Sequence, residues 1–344
     1  MTNNVVIKKL TSERFAEWDS YVNQHEEGTF FHLSGWKSVI ERAYGHNTYY
    51  FFAEEEGRIV GLIPLTQIKS RLFGNALISN PFCVYGGAIA ENSDIRSMLE
   101  TVAEEASITL KVDYLELRNM AQTNSEWPVK ELYVTFRKEL APEPEANLNA
   151  IPRRQRRMVR QGIKAGLKSV VLNDIQQFFS IYSYSVRNHG TPVFPKKYFT
   201  ILKEIFGDKC EIRVVYHGEN AVSTVMSFYF RDEVLPYYAG GTLDARKYSA
   251  FDFMYWDLMQ DACLRGIRIF DYGRSKIGTG PYNFKKNWGF SPQPLMYQYK
   301  LVAAKSVPEV NPLNPKYQHF IKMWRRLPVP IANVIGPWLA RSLG

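Results

Sequence analysis

Two stretches of the chain, roughly 155 residues apart, carry the same order of apolar and polar positions. The first runs Tyr49-Tyr50-Phe51-Phe52-Ala53, turns through polar Glu54 to Arg58, and continues as Ile59-Val60-Gly61-Leu62-Ile63. The second runs Ile212-Arg213-Val214-Val215-Tyr216, turns through His217 to Asn220, and continues as Ala221-Val222-Ser223-Thr224-Val225-Met226. Aromatic and β-branched runs on either side of a short polar break predict a β-hairpin in each place. Each hairpin is followed by a tyrosine-glycine segment, Tyr85-Gly86-Gly87 or Tyr238-Ala239-Gly240-Gly241, then by a helical pattern and a strand ending in arginine. The first helix spans Asp94 to Leu110, with Ile95, Met98, Leu99, Val102 and Ala106 on one face and Ser93 or Asp94 as cap. The second carries Tyr255, Leu258, Met259 and Ala262, with Ser249 placed to cap it and Gly266 to end it. The closing strands are Tyr114 to Arg118 and Ile269 to Arg274, so each copy contains a β-α-β step in a mixed sheet. Two copies of one α/β unit imply a cleft between them, a favoured place for a substrate.

Leu140-Ala141-Pro142-Glu143-Pro144-Glu145 interrupts both helix and strand and places a boundary near residue 150. The expected organisation is a first unit over residues 1–150, a second over 151–305 and a tail over 306–344. The tail opens on the irregular connector Asn311 to Pro315 and continues with tryptophan, leucine and isoleucine beside lysine and arginine. That composition suits either an amphipathic segment on an anionic membrane surface or a tail packed on the second unit.

A 45% hydrophobic and 22% charged composition is that of a water-soluble globular chain. Cys83, Cys210 and Cys263 are odd in number and far apart, which argues against a disulfide framework or zinc site and for a reducing compartment. No signal-peptide core and no 18-residue apolar run occurs, so the expected location is cytoplasmic, with the tail at the inner face of the membrane as an option. The net charge of +9 is local: Ile151 to Lys168 contributes +7 and Lys305 to Gly344 +5, leaving −3 for the rest. Two anionic contacts are therefore implied, and not a wholly basic surface.

Candidate chemistry is densest in Asp271-Tyr272-Gly273-Arg274-Ser275 and the following Gly278-Thr279-Gly280-Pro281-Tyr282-Asn283-Phe284-Lys285-Lys286. A strand that leaves its apolar run and at once presents an acid, an arginine and a serine sets them at the carboxyl edge of the sheet, where α/β folds hold ligands. Phe284-Lys285 offers an ammonium next to an aromatic ring, able to stabilise an oxyanion during acyl transfer. The bland alternative pairs Asp271 with Arg274 and leaves Lys285 and Lys286 solvated. The six histidines show no metal-ligand spacing, and neither a zinc-hydrolase nor a nucleophile-elbow motif is present; no metal is expected.

The chain resembles the FemAB family of peptidyl and aminoacyl transferases, in the branch associated with exosortase and PEP-CTERM exopolysaccharide systems. The resemblance rests on Thr29 to Trp36, Tyr85-Gly86-Gly87, Pro152 to Arg160, Ser185 to Pro192, Phe270 to Ser275, Gly280 to Gly289 and the tail from Asn314. It implies a tandem pair of GNAT-like α/β domains with a basic C-terminal tail, in agreement with the duplication. It also implies transfer of an acyl or aminoacyl group to an amine on a cell-envelope, peptidoglycan or exopolysaccharide precursor. By that resemblance Phe284 and Lys285 match a pair that stabilises the tetrahedral intermediate, and Tyr282 and Arg274 line the same cleft. Asp271 is the candidate base where the substrate does not lose its own proton, and Ser275 and Tyr238 are further candidate substrate contacts. No peptide-binding residues of the tRNA-dependent members are matched beyond this cleft, so the substrate stays open.

The donor is either aminoacyl-tRNA or acyl-CoA, with no tightly bound cofactor. Arg71-Leu72-Phe73-Gly74-Asn75-Ala76 fits a CoA-binding string, yet it leads into a strand and turn at Leu77 to Pro81 instead of a helix that could cradle pyrophosphate. Arg154, Arg157 and Arg160 share one helical face and suit phosphates of a tRNA, nucleotide or lipid-linked donor, or form a solvated interdomain helix. The competing class is a non-catalytic protein of the same fold that binds a glycan or lipid-linked intermediate.

Overall fold

A computed structural model describes residues 5–70, 73–172, 174–308 and 315–343. It divides into one unit of Met1–Tyr133, Pro294–Val310 and Arg341–Gly344 and another of Val134–Gln293 and Asn311–Ala340.

In the first unit the expected hairpin is formed by strands Thr48–Glu55 and Arg58–Ser70, paired antiparallel. Glu56 and Gly57 turn it with φ of 49° and 81°, as a two-residue loop of left-handed residues requires. The sheet runs Val6–Lys9, Thr48–Glu55, Arg58–Ser70, Gly74–Ser79, Tyr114–Asn119, Met296–Leu301 and Val129–Lys130, with Ile89–Ala90 beside the third of these. Gly74–Ser79 and Tyr114–Asn119 are parallel, joined through helix Ser93–Thr109. Asn92, not Ser93 or Asp94, caps this helix by accepting from the Ile95 N–H. Ile95, Leu99 and Ala103 form the buried face, while Met98 is exposed because one i, i+4 row suffices to cover the sheet here. The segment Thr29 to Trp36 is held by side-chain hydrogen bonds: Thr29 bonds His32 Nδ1, and His32 Nε2 contacts the Gly87 carbonyl oxygen at 3.0 Å. Trp18 donates to the His32 carbonyl and Trp36 to that of Phe30, with both indoles fully buried.

The second unit repeats the plan. Its sheet runs Leu167–Val171, Cys210–His217, Asn220–Phe230, Glu233–Gly241, Ile269–Asp271 and Arg137–Glu139. The hairpin of Cys210–His217 and Asn220–Phe230 is the one expected from the sequence, and Gly218 takes φ of 60° at the turn. Glu233–Gly241 and Ile269–Asp271 are parallel, joined through helix Ala250–Leu264. Ser249 precedes that helix in the left-handed region (φ 56°) and its side chain does not cap it, contrary to the expectation; the hydroxyl is buried without a partner. The basic segment forms helix Arg153–Lys164, whose Gly162 lies so close to helix Ala250–Leu264 that a Cβ there would sit 2.7 Å from Phe253 Cβ.

The boundary expected near residue 150 differs from the observed division. Arg137–Glu139, which follows the first copy in sequence, pairs with Ile269–Asp271 in the sheet of the second unit. Met296–Leu301, which follows the second copy, pairs with Tyr114–Asn119 in the first. Each sheet thus takes its strand on that edge from the segment following the other copy. Period-two patterning marks such segments as strands but does not name their partner.

The tail forms helices Pro315–Trp324 and Val329–Ala340, and the connector Asn311 to Asn314 lies outside the described residues. Helix Val329–Ala340 packs on helix Ile175–His189, where Asn333 Nδ2 donates to Ser183 Oγ, and the Arg187 guanidinium donates to the carbonyl of Arg325 in the turn between the tail helices. Among the described residues no helix is long and apolar enough to cross a membrane. All three cysteines are buried free thiols.

Candidate functional site

Within the second unit, the parallel strands Glu233–Gly241 and Ile269–Asp271 pair only at Glu233 with Ile269 and Val234 with Phe270. Beyond those pairs the first strand shifts register against its other neighbour between Met226 and Ser227, and the second ends. Two parallel strands that stop pairing leave backbone carbonyls and amides to be satisfied by something else.

Lys285 satisfies three of these carbonyls. It sits on helix Gly280–Asn287, started by Pro281 in the first turn. Its ammonium donates to the carbonyl oxygens of Tyr272 at 2.6 Å, Gly273 at 2.9 Å and Arg274 at 3.1 Å. The ring facing it is Phe136, with its centroid 5.7 Å from Nζ. Burial pushes the amine down to about 7, Arg274 adds to that effect, and the Asp271 carboxylate opposes it. A lysine poised near neutrality in a strand divergence combines a charge, a proton and a fixed position.

The residues expected at the site are brought together only in part. Asp271, Arg274, Tyr282 and Lys285 come together. Asp271 is 1% exposed; it accepts from the Gly273 N–H at 2.7 Å and from Thr135 Oγ1, with Arg137 at 3.8 Å. Tyr282 packs edge-on against Phe136 at 5.5 Å. Ser275 is close in sequence and buried, its hydroxyl without a hydrogen-bond partner. Phe284 points instead into the core, against Tyr255, Tyr272 and Trp288, since adjacent residues on a helix project about 100° apart. Tyr238 belongs to the aromatic cluster under helix Ile175–His189, where its hydroxyl shares a 2.8 Å hydrogen bond with that of Tyr198. Arg154 and Arg157 stand exposed on helix Arg153–Lys164, outside the contacts that define the Lys285 cluster.

Phe136, Arg137 and Thr135 are site neighbours that sequence reasoning placed in the first copy. Their signal was the alternating run Val134 to Lys138, which reads as a strand but carries no hint of its partner. Asp252 was also missed. This first-turn residue of helix Ala250–Leu264 accepts from Trp288 Nε1 at 3.0 Å, and burial raises its carboxyl to about 6.

The corresponding divergence in the first unit is closed by its own chain. After Ser79 the backbone turns through Asn80 and Phe82, both with positive φ, and returns so that the Gly86 and Gly87 N–H groups donate to the Arg118 carbonyl. The Arg118 guanidinium, 2% exposed, bonds the Cys83 carbonyl and the Glu116 carboxylate, and Tyr299 donates to the other oxygen of Glu116. The two copies therefore differ where a ligand would enter.

Gly74-Asn75-Ala76, the described end of the CoA-like string, lies in a strand and so offers no helix N-terminus to a pyrophosphate; Arg71 and Leu72 lie outside the described residues. Among the described residues no three metal-ligating side chains converge.

Residues 151–286 match the family model described as acetyltransferase (GNAT) domain. No curated protein matches the sequence. Among solved structures, that of FemX superposes with a TM-score of 0.68 at 13% identity, covering 92% of this chain and 100% of the other. The C-terminal domain of a protein described as a lysylphosphatidylglycerol synthetase, from Agrobacterium fabrum, gives 0.57 at 14% identity, covering 85% and 93%. A tandem GNAT protein of the clavulanic acid biosynthesis pathway gives 0.53 at 10% identity, covering 88% and 100%. The chain thus has a mixed α/β fold of tandem GNAT-like units.

Proposed function

We propose that the chain is an N-acyltransferase of the FemAB type, moving an acyl or aminoacyl group to an amine of a cell-envelope or exopolysaccharide precursor in an exosortase-associated system. One observation carries this reading: a single lysine, held near neutral pKa, fills the strand divergence of the second unit while the first unit closes its own.

The acceptor amine attacks the donor carbonyl, a C–N bond forms, and the C–O bond of a tRNA ester or the C–S bond of a thioester breaks. The leaving group takes the proton that the amine loses. Lys285 orients the carbonyl turn at 272–274 and donates to the developing oxyanion by exchanging its longest bond, that to the Arg274 carbonyl at 3.1 Å. Asp271, committed to the Gly273 N–H and Thr135, acts as the counter-charge that favours the ammonium and not as the base.

Aminoacyl-tRNA is the donor this reading favours over acyl-CoA. Asp252, in the first turn of helix Ala250–Leu264 and buried against Trp288, sets a carboxyl group where the helix start would otherwise favour a pyrophosphate. Arg154 and Arg157, exposed with Arg160 on one helix, supply guanidinium groups for a polynucleotide backbone.

The test is to incubate the protein with charged tRNA or acyl-CoA and amine-bearing envelope precursors, and to look for the added mass by mass spectrometry. Transfer should occur and fall about 10²-fold or more in Lys285→Met. A folded Lys285→Met protein with full activity removes Lys285 from the mechanism. Binding of precursor without added mass from any donor makes the chain a binding protein.

A further inference from the structure

The tail helices have two different faces. Inward, Ala332, Gly336 and Ala340 of helix Val329–Ala340 are buried, and a Cβ on Gly336 would sit 2.9 Å from the Val193 nitrogen. These small residues let the helix backbone come down onto the second unit. Outward, Ile331, Val334, Ile335 and Trp338 are exposed by 46%, 77%, 41% and 61%. Their i, i+3, i+4, i+7 spacing confines them to an arc of roughly 100°, and helix Val329–Ala340 carries no charged residue at all. Phe320 and Met323 of the preceding helix are exposed as well. An aligned apolar stripe with tryptophan, left in water on a helix already docked by its other face, is unlike scattered surface apolar residues and marks a contact surface.

Charge identifies what covers it. Lys322, in the last turn of helix Pro315–Trp324, and Arg325 and Arg326, in the turn that follows it, are exposed, and no aspartate or glutamate occurs from residue 310 to 344. Apolar side chains flanked by cations alone fit a surface that is apolar beneath and anionic at its rim. We propose that this stripe seats the second unit on an anionic lipid bilayer, with Trp338 and Val334 in the acyl boundary and Lys322 and Arg326 among the phosphates. The tail therefore packs on the protein and faces a membrane at once, instead of choosing between them. This proposal is independent of the transferase reading, since it needs no catalytic residue.

Flotation of the full-length protein with phosphatidylcholine vesicles, with and without phosphatidylglycerol, tests it. Binding is expected only with phosphatidylglycerol, and it weakens with added salt. Lys322→Gln with Arg326→Gln should lower the partition coefficient roughly 25-fold, from about fivefold for each cation lost near the surface. Val334→Glu with Trp338→Glu should abolish binding while leaving the melting temperature unchanged, both side chains being exposed. Should that double variant fail to fold, Val334→Cys labelled with an environment-sensitive dye gives a second readout, a blue shift on anionic vesicles alone. Absence of binding by the parent protein, equal binding by the glutamate variant or an unshifted dye overturns the proposal. So does a parent dimer that the glutamate variant converts to monomer without any vesicle binding, which assigns the stripe to a second copy of the chain.

Discussion

Replacing Lys285 by methionine should change the pH dependence of stability in a calculable way. The amine titrates near 7 in the folded chain and at its ordinary 10.5 once unfolded. Below about pH 7 both states hold the proton, and the folded state bears the full cost of keeping a charge in a place that disfavours it. Between 7 and 10.5 the folded state gives the proton up and the unfolded state keeps it, so the cost is relieved and stability rises with pH. The full difference of 3.5 pH units corresponds to about 5 kcal/mol. From pH 6 to 9, a range most proteins survive, about 2–3 kcal/mol of it is recovered. For a unit of this size that is about 5–10 °C in melting temperature. The measurement is the difference in melting temperature between the parent protein and Lys285→Met at several pH values, in which all other titrating groups cancel. The parent should gain on the variant steadily above pH 7. Parallel curves would mean that burial does not depress the Lys285 amine, and the argument for a lysine poised near neutrality would fail with it. The same titration predicts that turnover limited by oxyanion stabilisation declines above about pH 7.

Other substitutions probe the rest of the fold. Arg118→Met should cost about 3–5 kcal/mol, because it strands the buried Glu116 carboxylate, and pairing it with Glu116→Gln should recover much of the loss in a denaturant titration. Gly162→Val should cost about 1–3 kcal/mol, read from thermal melting, by driving helix Arg153–Lys164 off Phe253. Arg154→Gln with Arg157→Gln should raise KM for charged tRNA, flatten its salt dependence and leave kcat unchanged, whereas an unchanged KM would make this helix a solvated surface.

Much of the fold was open to reading from residues alone, for reasons that are local. The two hairpins, the parallel step in each copy and the basic helix follow from periodicity and turn residues, which act within a few positions of the chain. The helix starts were less legible: Asn92 caps where Ser93 or Asp94 was expected, and Ser249 leaves its hydroxyl unpaired, because several polar residues competed for one position. The aromatic partner of Lys285 was legible only as a class. A ring was expected beside the ammonium, and the neighbour in sequence, Phe284, turns into the core while Phe136 faces the charge.

Sequence patterning alone was enough to show a doubled α/β chain with its cations concentrated in two segments and its densest chemistry at the end of the strand Ile269 to Arg274 of the second copy. Tertiary structure decided which strand completes each sheet, that the lysine spends its donors on backbone carbonyls, and that the first copy closes its divergence with Gly86, Gly87 and Arg118. The reason is physical: period and propensity act along the chain, whereas strand partners, burial and the satisfaction of unpaired carbonyls depend on residues that are distant in sequence and meet only after folding.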